Sequence, residues 1–391
     1  QNWLFPTYNI AQMRQDDFAW FNRRMKSLQK YFDALRIDHV LGLFRIWSIP
    51  KNQVNGTMGI FVPAIPLKLG DFTHAGLFFN EERLCNAYTT DEVLNEIFGD
   101  DVTAIKTIFL DGLSLKKELN DQQKIEKYLI SNPEFIKYKQ QLFDIVANVI
   151  LLKDFSEKGG YHFRINVQQT ISYKHLTETE KYIIDSLYKR YFFEMQNALW
   201  EQEGKATLKM LTTATNMLVC AEDLGMVPAF TEKVLQGLDI LSLQVQQMPK
   251  ESNADFSDTK EAAYGSVVMP ATHDMAPIRL WWEQNRPTAQ LFYNSILKEM
   301  GNAPYFCEPW ICKKIIELHQ QSPAMWSVFL LQDLLAINGK IRRPVPTEER
   351  INDPANPKQI WNYRMHLTIE TLMQQDDLNN EIKEMITAAG R

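Results

Sequence analysis

Met217-Leu218-Val219-Cys220-Ala221-Glu222-Asp223 is an apolar run that stops abruptly at two adjacent carboxylates. Four other short apolar runs likewise end abruptly in polar or acidic residues: YFDALRID (31–38), LSLQVQQ (241–247), SVVMPATHD (266–274) and WSVFLLQD (326–333). Apolar runs without clean alternation predict strands buried on both faces, as in parallel sheets. Helical stretches are expected after them, from Val227 through Gly237 and from Pro277 through Trp282. Strand, acidic residue, loop and helix form the repeating unit of a (β/α)8 barrel, an α/β fold whose strand C-termini line one face. About five units are legible and a closed barrel needs eight, so about three further strands are expected upstream of Gln1. The barrel is therefore expected to be incomplete in this chain. The chain opens at Gln1 and not at Met, which agrees with that expectation.

Between the first run and the second lies a long stretch richer in Lys and Glu, which reads as a mostly helical inserted subdomain. Thr177-Glu178-Thr179-Glu180 is a capping-box pattern, followed by apolar residues at 183, 184, 187, 188, 191, 192, 195 and 199. That is one face of a helix. Three segments result: 1–50 with the first acidic strand, 51–211 as the helical insertion, and 212–391 carrying the later strands.

The 391 residues are 45% hydrophobic and 23% charged, with a net charge of −6. These values suit a globular protein and exclude disorder as the default. No basic stripe exists to bind phosphate backbones, so no nucleic-acid partner is expected. No apolar run reaches 18 residues, so no membrane-spanning helix is expected. Four cysteines are scattered except for Cys307 and Cys312, which have no second Cys/His pair beside them. No zinc site is expected, and sparse cysteine suits a reducing, cytoplasmic compartment. No secretory signal accompanies the Asn55-Gly56-Thr57 sequon, which reads as chance.

The acidic strand ends carry the candidate chemistry. Arg36 and Asp38 lie one pleat apart on the same strand face, and a neighbouring cation favours the ionised carboxylate that a nucleophile needs. A structural Arg–Asp pair is the competing use. Glu222 and Asp223 cannot both point into a barrel. Glu222 has the longer reach for a general acid, and Asp223 could cap the following helix. His273 and Asp274 end the next acidic strand, where they can contact sugar hydroxyls and stabilise positive charge at an anomeric carbon. Metal ligation is their other use, but no H-x-H or H-E-x-x-H pattern supports it. Trp3, Tyr8, Trp47, Trp281 and Trp282 lie in or beside the expected loops as flat platforms for sugar faces; core packing competes for each of them.

Several ordered segments match one family: FPTYN (5–9), RIDHVLGLFRIWSIP (36–50), AEDLG (221–225), THDMAPIRLWWE (272–283), LQDLLA (331–336) and INDPANPKQIWNYRMH (351–366). They closely resemble the 4-α-glucanotransferases called amylomaltases or disproportionating enzymes, glycoside hydrolase family 77. His39-Val40-Leu41-Gly42 stands where the shorter amylomaltases read H-F-R-G, which points to the plant cytosolic branch with its long insertion. The resemblance implies Asp38 as nucleophile, Glu222 as general acid/base and Asp274 as transition-state stabiliser. It also implies sugar contacts by Arg36 and His273, places Trp3 and Tyr8 near the glucan, and leaves Gln332, Asp333, Asn352 and Arg364 to shape the barrel end. No cofactor or metal is implied. The partners implied are maltose, maltooligosaccharides and longer α-glucans such as starch or glycogen, with upstream starch-binding modules outside this chain. Retaining hydrolysis by the same carboxylates, or glucan binding without catalysis, remain open alternatives.

Overall fold

The computed structural model describes residues 2–251, 253–356 and 358–391. The chain divides into two compact units, one formed by residues up to Arg24 with Leu41–Leu211, the other by Met25–Val40 with Thr212–Arg391.

In the first unit, helices alternate with three short antiparallel ladders. These pair β2 (Ile46–Ser48) with β3 (Ile60–Val62), β4 (Leu110–Asp111) with β5 (Ser114–Leu115), and β6 (Leu151–Lys153) with β7 (Tyr161–Phe163). The expected capping box is present. Thr177 N–H donates to Glu180 Oε2 at 2.8 Å and Glu180 N–H to Thr177 Oγ1 at 3.3 Å, opening the helix Glu178–Arg190. Its Ile184 and Leu187 enter a core with Phe72, Ile150, Phe163 and Phe192. The helix then widens into a π turn, Tyr191–Met195. The buried Tyr191 hydroxyl lies 2.6 Å from His162 Nδ1, while His162 Nε2 lies 2.7 Å from Asp154 Oδ2. Asp154 is held down to about 2, burial being outweighed by its bonds from His162, Ser156 and Glu157. The carboxylate can only accept, so Nε2 donates to it and Nδ1 receives the Tyr191 proton. A neutral imidazole satisfies every member of this network.

The second unit holds the five runs that end in polar or acidic residues. They form β1 (Ala34–Ile37), β8 (Leu218–Ala221), β9 (Ser242–Val245), β10 (Ser266–Met269) and β11 (Trp326–Ser327). All pair in parallel and in chain order. β1 lies beside β8, β9 beside β10 and β10 beside β11, while a bridge from Cys220 to Leu241 joins β8 to the β9 end. Among the described residues the row does not close on itself. β10 is buried along its whole length, as its uninterrupted apolar sequence demands. β1 is only partly buried, because a single neighbour, β8, covers it among the described residues.

Two details depart from the sequence reading. Among the described residues the β9–β10 connection contains the 3-10 turn Thr259–Glu261 and no α-helix. The last run leaves its strand after Ser327 and re-enters as the helix Leu331–Leu335, so Asp333 sits in a helix and not at a strand end. There its Oδ1 accepts from Ile278 N–H at 2.8 Å, at the start of the helix Ile278–Gln284, while Oδ2 lacks a partner among the described residues. Gln332 Nε2 donates to Glu349 O at 3.0 Å, and Glu349 is paired with the buried Arg279.

Burial pushes the Asp333 carboxyl up to about 7, with the charge of Glu349 adding to the shift and the Ile278 N–H bond opposing it. A folded pKa above the unfolded one favours the neutral acid. That stability is complete below about pH 4 and is lost as pH rises through about 7, by at most about 1.4 kcal/mol per pH unit. Asp333→Asn keeps an acceptor for Ile278 but cannot ionise. Its stability relative to the parent is expected to be about 1–3 kcal/mol more favourable at pH 8 than at pH 5, read from urea midpoints. An equal difference at both pH values would contradict this.

Candidate active site

The parallel register sets Ile37 beside Ala221, so the next residue on each strand is a carboxylate, Asp38 on one and Glu222 on the other. Neighbouring strands lie about 4.8 Å apart, which brings the two acids together at one edge of the sheet. Glu222 is clasped by the chain that carries Asp38. Its N–H donates to Ile37 O at 2.8 Å, its carbonyl accepts from Val40 N–H at 3.1 Å, and its Oε2 accepts from His39 N–H at 2.7 Å. His39, the donor of the last bond, has φ +46°, a left-handed conformation that residues other than glycine rarely adopt. Leu224 N–H donates to Glu222 Oε1 at 3.3 Å.

Asp38 is left open. Its side chain is 80% exposed and its Oδ1 accepts from Arg36 Nη2 at 3.0 Å, the same-face pairing expected from period-2 alternation. Asp274 lies past Met269, in the turn that follows β10. Its N–H donates to Thr272 Oγ1 at 3.2 Å, its Oδ2 lies 3.4 Å from His273 Nε2, and Asn352 Nδ2 donates to its Oδ1 at 2.6 Å. The His273 ring in turn faces Trp361, with centroids 5.3 Å apart.

Asp223 takes the opposite direction from Glu222. It is buried, accepts from Leu243 N–H of β9 at 2.8 Å, and meets Lys250 Nζ at 2.5 Å. It does not cap the helix that follows, Thr231–Gln236, because the sheet interior claims its carboxylate. Burial raises its pKa, and the Lys250 ammonium pulls the other way. This pair ties the β9–β10 connection to the strand that carries Glu222.

The structure thus places Arg36, Asp38 and Glu222 together at the C-terminal ends of β1 and β8, and His273 and Asp274 in the turn after β10. The aromatic residues are distributed differently. Trp281 is half-buried on the helix Ile278–Gln284, its ring edge-on to Phe256 and Phe292, while its neighbour Trp282 is fully buried. Trp3, Tyr8 and Trp47 belong to the other unit. Trp3 and Tyr8 are exposed, and Tyr8 lies against Trp20 and Phe21. Trp47 stands edge-on to Phe61, donates Nε1–H to Gly56 O at 2.8 Å, and lies so close over Gly59 that a Cβ there would overlap its indole. Two neighbours of Asp274 and His273 escaped the strand-end reasoning, namely Asn352 as a direct donor and Trp361. Neither sits at a strand end or in a local pattern that announces such a role; only the matched segment 351–366 contained them.

Comparison with known proteins gives a consistent picture. The sequence profile of the family described as 4-alpha-glucanotransferase matches residues 1–369. The chain is 36% identical to the 4-alpha-glucanotransferase DPE2 of Oryza sativa subsp. japonica, over all of this chain and 42% of that protein. It is 24% identical to a 4-alpha-glucanotransferase of Chlamydia trachomatis, over 47% of this chain and 35% of that one. An amylomaltase from Streptococcus agalactiae, solved in complex with acarbose, superposes with a TM-score of 0.52 at 14% identity, covering all of this chain and 48% of that one. That likeness supports a common α/β fold. The chain spans less than half the length of each of these proteins.

Lys250→Met would leave the Asp223 charge buried beside Leu243 without its counter-ion. The Lys250 side chain is a quarter exposed, so the full penalty for breaking a buried pair is discounted to about 2 kcal/mol. Asp223→Asn, which retains the acceptor for Leu243 N–H, is expected to cost less. Denaturant unfolding of the two variants checks the order, and a harmless Lys250→Met would refute it.

Proposed function

Because the chain belongs to the 4-alpha-glucanotransferase family, we propose that it cleaves and re-forms α-1,4-glucosidic bonds by retaining double displacement. The donors are maltose and maltooligosaccharides, and the acceptors are other glucans. The observation that carries this reading is the juxtaposition of an exposed, Arg36-paired Asp38 with a Glu222 held by the backbone on either side of it. A retaining enzyme needs its two carboxyl groups about 5–5.5 Å apart, and adjacent registered positions on parallel strands suit that spacing.

Asp38 attacks the anomeric carbon and forms a glucosyl ester, while Glu222 gives its proton to the departing glycosidic oxygen. Glu222, now ionised, takes the proton of an acceptor hydroxyl, which displaces Asp38 from the same carbon. Both steps pass through an oxocarbenium-like state, whose positive charge Asp274 stabilises from the other side of the site. Asn352 fixes the orientation of Asp274 by its 2.6 Å bond. Arg36 and His273 contact the sugar at the cleavage point. Trp281, its ring packed on Phe256 and Phe292, serves as a wall residue, and the family resemblance adds Trp3, Tyr8 and Trp47 as further candidate glucan contacts.

The five parallel strands are read as part of a (β/α)8-type barrel, and residues 51–211 as a subdomain inserted between the Asp38 and Glu222 strands. A cytoplasmic location belongs to the same reading, supported by four free cysteines. No described helix is long and apolar enough to cross a membrane.

Incubation of the 391-residue chain with maltotriose is expected to yield a ladder of longer maltooligosaccharides along with glucose. Asp38→Asn is expected to reduce turnover more than about a thousandfold, since the covalent step is lost. Glucose and maltose as the only products would overturn transfer in favour of hydrolysis. Full activity in Asp38→Asn would overturn the assignment of the nucleophile.

A further inference from the structure

Two arms, residues 350–353 and 359–361, reach the turn that carries His273 and Asp274. On the first arm, Arg350 Nε donates to Asn352 O at 3.0 Å and its guanidinium pairs with Asp353 at 3.3 Å, holding Asn352 against Asp274. On the second arm, Gln359 Nε2 lies 3.3 Å from both Ile351 O and Ile360 O, which ties this arm back to the first. The tie leaves Trp361 beside His273, tilted at 52° to its ring. Asn352 and Trp361 are therefore one positioned pair, the first on the carboxylate and the second on the adjoining imidazole.

Trp361 is nonetheless 62% exposed. Tryptophan is among the more strongly buried residues on average, because its large apolar surface favours leaving water. Here the His273 contact fixes the ring while most of its area faces outward, next to two groups assigned to the sugar. A hexose presents a C–H face that is apolar and hydroxyl edges that are polar. An indole held beside a carboxylate and an imidazole matches both, since its π face accepts the C–H face while Asp274 and His273 take the edge.

We propose that Trp361 is a substrate platform, stacking on a glucosyl unit of the bound α-glucan next to Asp274. This rests on the glucanotransferase reading above, and it adds a specificity residue that does no chemistry. Its removal weakens glucan binding and leaves the bond-breaking machinery in place.

The test separates the two readings by measuring binding in a chain that cannot turn over. Calorimetric titration of maltotriose into Asp38→Asn gives the reference affinity, and the same titration is made with Trp361→Ala and Trp361→Phe added to that background. A roughly tenfold weaker Kd for the alanine variant, the size expected for one lost aromatic contact, together with near-reference binding for phenylalanine, supports the platform. In the active chain, Trp361→Ala is then expected to raise KM for maltotriose about tenfold while kcat stays within about threefold. If the reference binds maltotriose and Trp361→Ala binds equally well, the platform is overturned and the glucanotransferase reading stands. If the Asp38→Asn reference itself binds no maltotriose, the glucan reading fails and the platform with it.

Discussion

The pairing of β1 with β8 is the constraint on which the rest depends. It joins His39 to Glu222 across 183 residues of sequence, and without it Asp38 and Glu222 have no common site. Closing so long a loop has an entropic cost that grows only slowly with length. The intervening chain offsets that cost by burying apolar clusters of its own, around Phe163 and around Phe109 and Leu142. A long excursion between two functional strands is tolerable when the excursion has its own core.

Around the strand ends, charges are sorted by burial. Asp38 and Arg36 stay near solvent, where an ion pair contributes little to stability. Asp223, one residue from Glu222, is turned into the interior and matched with Lys250. Deeper still, Asp333 keeps one oxygen without a partner among the described residues and burial raises its pKa to about 7, while the neighbouring Glu349 is matched with Arg279. Two carboxylates adjacent in sequence thus serve different ends because a strand sends alternate side chains to opposite faces. Glu222 goes to the site and Asp223 to the scaffold.

How much of this was legible follows from how local each feature is. The strand runs at 217–223 and 266–274 announce themselves by composition, and the capping box at Thr177 by spacing; each needs only neighbours within a few residues. The Arg36–Asp38 pair is legible for the same reason, being two positions apart on one strand. The last run was misjudged beyond Ser327, because LLQD suits a helix as well as a strand and only the demand of Ile278 N–H for an acceptor placed Asp333 where it is. The aromatic residues were the least legible. Trp281 and Trp361 are both tryptophans near polar segments, yet one packs on Phe256 and Phe292 while the other lies largely in solvent beside His273.

By itself, then, the sequence determined where the five strands lie, the carboxylates Asp38 and Glu222 that directly follow two of them and the family the chain resembles, since these depend on periodicity, side-chain chemistry and motif order along the chain. Only the tertiary structure decided which carboxylates stand together and which partners orient them. The register Ile37–Ala221, the bond from His39 to Glu222 and the bond from Asn352 to Asp274 are contacts between residues far apart in sequence. Long-range hydrogen bonds of this kind leave no periodic trace in the segments they join.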